Sequence, residues 1–114
     1  MKSPRDAVLL RIYLGEDERH DHKPLYEAIV LKSRELHLAG ATVLRGPMSF
    51  GRSSHLHTAK ILRLSENLPV VVEIVDSEEK IDAFLPVVDG MMQGGLITLE
   101  KVRVLEYGDA KGAS

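Results

Sequence analysis

Short apolar runs closed by turn formers alternate along the chain with longer stretches of helical periodicity. Ala7-Val8-Leu9-Leu10-Arg11-Ile12-Tyr13-Leu14 is apolar, short and ended by Gly15, which predicts a first strand. The charged segment 16–22 predicts a loop in which Glu16, Asp17 and Glu18 are solvated. Pro24 suits the first turn of a helix, where its missing N–H costs nothing, with Asp21 or His22 near the N-cap. Leu25, Ala28, Ile29 and Leu36, with Tyr26 and Val30 beside them, recur at helical spacing, and Gly40 is a natural stop. Residues 41–45 predict a second strand and 46–54 an exposed loop. Residues 55–64 fit either an extended arm or a helical turn. Residues 70–75, Val-Val-Val-Glu-Ile-Val, are the clearest strand. Asp76 then caps a second helix with Glu79 as its capping-box partner, and Ile81, Phe84, Leu85, Val88 and Met91 or Met92 form the buried stripe. Pro86 predicts a kink or an early end to that helix. Gly94-Gly95 closes the segment, and 96–107 predict a last strand with Val102 and Val104 on one face.

The order strand, helix, strand, loop, strand, helix, strand predicts an α+β, ferredoxin-like βαββαβ domain: a four-stranded antiparallel sheet with two helices on one face. The domain spans 7–107, with tails at 1–6 and 108–114. Strand residues alternate between faces, and here both faces carry apolar side chains. Leu10, Ile12, Leu14, Val70, Val72 and Ile74 lie on one set of positions; Leu9, Tyr13, Val71 and Val75 lie on the other. Two helices cover one face only, so the expectation is a homo-oligomer whose sheets pack inward.

Composition narrows the chemistry. There is no cysteine, so disulfides, thiolate metal sites and cysteine nucleophiles are excluded. No apolar run approaches the roughly 20 residues that span a bilayer, and the start of the chain shows no signal-peptide pattern. A soluble, cytoplasmic protein is expected. A net charge of −2 argues against nucleic-acid binding. The distribution of charge is more informative: residues 36–65 hold no acid, yet contain Arg45, Arg52, Lys60, Arg63, His37, His55 and His57. Gly46 and Gly51 let backbone N–H groups approach a ligand, and Arg52 forks onto a phosphate or carboxylate. Arg45, Gly46, Gly51, Arg52, His55, His57 and Lys60 are therefore candidate anion-binding residues. Metal binding is the weaker reading. His20-x-His22 and His55-x-His57 place paired imidazoles on one side of an extended segment, with Asp17 and Asp21 nearby. No metal or cofactor is assigned. Ser53-Ser54-His55 lacks the surroundings of a known nucleophile motif, so no enzyme activity is expected.

The segments Gly15-Glu16-Asp17, Lys23 to Ile29, Gly40 to Gly46, His57-Thr58-Ala59 and Leu68 to Asp76 resemble a PII-like family, "domain of unknown function one-ninety", over about Leu9 to Val104. The resemblance implies a fold related to the PII (GlnB-like) signalling trimers. In those, nucleotide binds between subunits near the base of a long loop, which would place Arg45, Gly46, Gly51 and Arg52 near such a cleft. PII proteins also carry cations on the last strand, where this chain has Arg103. Two features depart from PII: the Thr-Gly-x-x-Gly-Asp-Gly-Lys loop is reduced to Gln93-Gly94-Gly95-Leu96, and Glu106 and Tyr107 stand where another cation would help. The expected function is an oligomeric sensor, a trimer, that binds a small anionic ligand, with nucleotide one open candidate, at intersubunit clefts. Family members occur beside or fused to fluoride-exporter membrane proteins, so an accessory subunit docking on a membrane transporter is the alternative. A divalent-metal-binding, CutA-like protein is the second alternative, by likeness of architecture alone.

Overall fold

The computed structural model describes residues 3–46, 48–50, 56–58 and 68–106, with only the backbone of 48–50 and 56–58. Four strands form the main sheet: β1 (Arg5–Gly15), β4 (Thr42–Arg45), β7 (Pro69–Asp76) and β8 (Leu96–Val104). Their order is β4-β7-β1-β8, every neighbour pair antiparallel. Helix α1 (Leu25–Glu35) packs on β7, and helix α2 (Glu78–Met91) on β1. This is the expected split βαβ arrangement, with β1 starting at Arg5, inside the segment expected as a tail. Two small hairpins are added: β2 (Arg19–His20) with β3 (Lys23–Pro24), and β5 (Met48–Phe50) with β6 (Leu56–Thr58). Among the described residues no helix is long and apolar enough to cross a membrane.

The core follows the strand alternation. Leu10, Ile12 and Leu14 from β1 and Val70, Val72 and Ile74 from β7 are buried, as are Leu25 and Ile29 of α1 and Ile81, Phe84 and Val88 of α2. Each such side chain contributes about 1.5–3 kcal/mol on burial. Ser33 takes the buried place on α1 expected for Leu36, and its hydroxyl donates to the Val30 carbonyl at 2.7 Å. Leu36 lies beyond the helix and is exposed.

The helix ends depart from expectation for local reasons. The stop of α1 is His37, not Gly40. Leu38 N–H donates to Ser33 O at 2.9 Å and His37 N–H to Arg34 O at 3.1 Å, which closes the last turn with His37 at φ +62°. Leu38 packs against the core and holds that closure. A β-carbon in this left-handed region costs about 1 kcal/mol, so His37→Gly is expected to raise stability by about 0.5–1 kcal/mol. A higher urea midpoint with an unchanged m-value would show it, and a lower midpoint would contradict it.

Asp76 is not the cap of α2. Ser77 is, accepting from Lys80 N–H at 3.3 Å. Asp76 instead accepts from Ala39 N–H at 2.8 Å and Ser77 N–H at 2.7 Å, tying the loop after α1 to the start of α2. Helix α2 runs through Pro86 to Met91 rather than ending early. Pro86 and Asp82, the residue whose carbonyl loses a partner, are both exposed, so water can take the place of the missing donor, while Phe84 and Val88 hold the buried face.

Candidate functional site

Two charged clusters lie at opposite ends of the sheet. The first surrounds the points where segment 46–68 leaves β4 and enters β7. Gly46 N–H donates to Pro69 O and Glu16 N–H to Leu68 O, each at 2.8 Å, so the end of β1 and both feet of the segment are bonded together. Arg45 projects from the helix-covered side, in the same cross-strand row as Val70 and Leu14. Its Nη2 donates to the Tyr26 hydroxyl at 3.0 Å, and its Cζ lies 5.4 Å from the centroid of the Tyr26 ring. Its Nη1 is ion-paired with the carboxylate of Glu16. The expectation of solvated acids at 16–18 is therefore corrected for two of the three: Glu16 holds Arg45 and Glu18 accepts from Gly15 N–H at 2.6 Å, while Asp17 is exposed.

The second cluster lines a groove of about 440 Å³ between the start of β1, the end of β8 and the first turn of α2. Asp6 faces Arg103 and Val8 faces Lys101 across the β1–β8 ladder. Alternation therefore puts Lys101 and Arg103 on one side of the strand, with Glu78 of α2 completing the lining.

These clusters cannot meet within one chain. Arg45 aligns with Leu14 of β1 and Arg103 with Asp6. Eight residues of strand separate those positions, roughly 26 Å at 3.3 Å per residue. The structure thus describes Arg45 and Gly46 at one end of the sheet and Arg103 at the other. His57 lies in β6 opposite Ser49. Gly51, Arg52, His55 and Lys60 lie outside the described residues. The sequence reading missed Lys101, Asp6 and Glu78 beside Arg103, and Glu16 and Tyr26 beside Arg45. The two-residue step from Lys101 to Arg103 was a visible signal. The other contacts join residues far apart in the chain.

The uncovered face of the sheet is ordered in rows. Leu44, Val71, Tyr13 and Leu96 form one apolar row across all four strands. The next row is Thr42, Glu73, Arg11 and Thr98, and the third is Val75, Leu9 and Glu100. Leu44 is 47%, Leu96 56% and Val75 37% exposed, an unusual apolar display for a monomer. Arg11 in the centre is neutralised in place: Nε donates to Glu73 at 2.9 Å and Nη1 to Glu100 at 3.1 Å. The hydrogen bond that Arg11 donates to Glu73 is the main cause that holds the Arg11 pKa above its ordinary value.

For metal chemistry, the described residues contain no group of three or more potential protein ligands. Asp21 and His22 are the turn residues of the β2–β3 hairpin, at φ +50° and +68°. His20 and His22 therefore do not share the extended segment on which their pairing was expected. His20 instead meets the Asp21 carboxylate at 3.5 Å.

The family described as Uncharacterized ACR, DUF190, matches residues 7–104. The chain belongs to the DUF190 family. A UPF0166 protein of Aquifex aeolicus (strain VF5) is 44% identical over 97 residues, covering 85% of this chain and 91% of that protein. A UPF0166 protein of Methanocaldococcus jannaschii is 34% identical over 99 residues, covering 86% and 91%. Among solved structures, this DUF190 chain is similar in fold to CPII, a nitrogen regulatory PII-like protein from Thiomonas intermedia K12 bound to ADP, AMP and bicarbonate. The TM-score is 0.61 at 13% identity, covering 90% of this chain and 91% of that one. A second CPII structure, bound to ADP and bicarbonate, gives a TM-score of 0.58 at 15% identity, with the same coverage. The fold of this DUF190 chain is thus PII-like.

Proposed function

We propose that this protein is a PII-like regulatory sensor that assembles as a homo-oligomer, a trimer, and binds a small anionic ligand of nucleotide class between subunits. The observation that carries the reading is the placement of the cations. Arg45 with Gly46 stands at one end of the sheet and Lys101 with Arg103 at the other, so head-to-tail packing around a closed ring sets one subunit's first end beside its neighbour's second. The apolar rows of the open face supply the inward surface for that ring, and the ADP held by CPII supports the ligand class. The groove itself has mixed charge, with Lys101 and Arg103 for phosphate and Asp6 and Glu78 for donors on the remainder of a ligand. In this reading the protein works in the cytoplasm as a binding protein rather than an enzyme, without a nucleic-acid partner.

Titration calorimetry with ADP, at low and at physiological salt, tests the site. Wild type is expected to bind, and Arg103→Gln and Arg45→Gln are each expected to weaken binding about tenfold or more through loss of a charge-assisted hydrogen bond. Mixing the two variants should regenerate intact clefts in a fraction of the assemblies and recover part of the heat. Wild-type affinity in both variants would remove these residues from the site.

A further inference from the structure

This inference deepens the anion-binding reading and rests on it. Arg45 stands ready for a ligand in position but not in charge, because the Glu16 carboxylate occupies its Nη1. The Tyr26 hydroxyl and ring hold the other side of the guanidinium without supplying a carboxylate. An anion arriving at Arg45 therefore has to displace Glu16 and nothing else of like charge among the described contacts. Glu16 is a tethered competitor: its own N–H is bonded to Leu68 O at 2.8 Å, which keeps its carboxylate beside Arg45. A tethered group acts at an effective concentration on the order of millimolar or above. A free monoanion that replaces it exchanges one negative charge for another and still pays the cost of association. A phosphate-type dianion brings a second charge and a set of oxygens that match the guanidinium fork, so it gains where the monoanion does not.

We propose that Glu16 sets an affinity threshold at Arg45 that weakly held monoanions do not pass and that ligands presenting a doubly charged phosphate or a polyphosphate group do. Glu16 does this by competition, which weakens every anion at Arg45 by one common factor, so removing its charge tightens binding and brings monoanions within reach. The test measures ADP by titration calorimetry and bicarbonate as its competitor, on wild type, Glu16→Gln, Glu16→Asp and the double variant Glu16→Gln/Arg45→Gln. Glu16→Gln is expected to bind ADP about two- to fivefold more tightly, the range set by one partly exposed ion pair. The inhibition constant of bicarbonate, corrected for the tighter ADP binding, should fall by about the same two- to fivefold. Glu16→Asp, which keeps the charge, should stay near wild type, and adding Arg45→Gln should cancel the gain.

Three outcomes overturn the proposal, and they separate it from the reading beneath it. If wild type binds ADP and Arg45→Gln weakens it, while Glu16→Gln leaves both constants unchanged, the anion site stands and Glu16 is only a structural ion pair. If Glu16→Asp gains as much as Glu16→Gln, loosened packing rather than charge is responsible. If no variant gives heat with ADP at millimolar concentration, the anion reading falls and the role of Glu16 with it.

Discussion

Val71→Lys is expected to sediment as a folded monomer and to lose measurable binding of ADP. Val71 is central in the apolar row that crosses all four strands, between Leu44 and Tyr13. It points away from both helices, while its neighbours Val70 and Val72 are 1% and 0% exposed in the core. A lysine there leaves the core unchanged and meets water in the isolated chain. In an assembly with sheets packed inward it would bury an unpaired ammonium, at a cost of several kcal/mol. Each 1.4 kcal/mol is a factor of ten, so a shift of about a hundredfold or more in the dissociation constant follows. Ligand binding should fail with assembly, because the Arg45 and Arg103 ends then no longer meet. Leu96→Lys, in the same row on the edge strand, is the companion variant. Thermal unfolding should find both variants close to the stability of a separated wild-type chain. A wild type that is already monomeric at micromolar concentration would end the oligomer proposal. A Val71→Lys variant of unchanged size would show that another surface holds the assembly.

Gly95→Ala is expected to cost about 2–4 kcal/mol and lower the Tm by about 10–20 °C. Gly95 sits at φ +110°, a region that residues with a β-carbon rarely adopt. An added Cβ would lie 2.6 Å from the Tyr13 carbonyl oxygen and 2.9 Å from Met92 Cε. The methionine end can swing away, but the Tyr13 carbonyl belongs to β1, which is paired on both sides by β7 and β8. The strand therefore cannot yield without disturbing the sheet. The neighbouring Gly94 is the control: nothing lies within 4 Å of its added Cβ, so Gly94→Ala should change stability by about 0.5 kcal/mol or less. Equal denaturation midpoints for the two variants would refute the argument.

The main sheet and both helices were legible because each signal was local. Alternation over residues 7–14 and 70–75 marks strands whatever they pair with, and the stripe Ile81, Phe84, Val88 marks a helix whatever covers it. The β2–β3 hairpin was not legible, because its turn places Asp21 and His22 at positive φ without the glycine that usually signals such a turn. The end of α1 was misplaced for the same kind of reason. Gly40 offered a stop, but the closure bonds of Leu38 and His37, backed by Leu38 packing on the core, ended the helix first. Of the candidate site, Arg45 and Gly46 were legible as residue types in a basic segment, and Arg103 only through the resemblance to PII proteins. Their partners Glu16 and Tyr26 were not, since Glu16 reaches Arg45 only after β7 has paired with both β1 and β4.

By itself, then, the chain's pattern of side chains determined the four strands of the main sheet, the two helices, the core face and the presence of a second apolar face, since periodicity decides which side chains point together. The tertiary structure alone decided which charges stand at which end of the sheet. Strand order and register set those distances, and they depend on pairings between residues too far apart in sequence for any local pattern to encode.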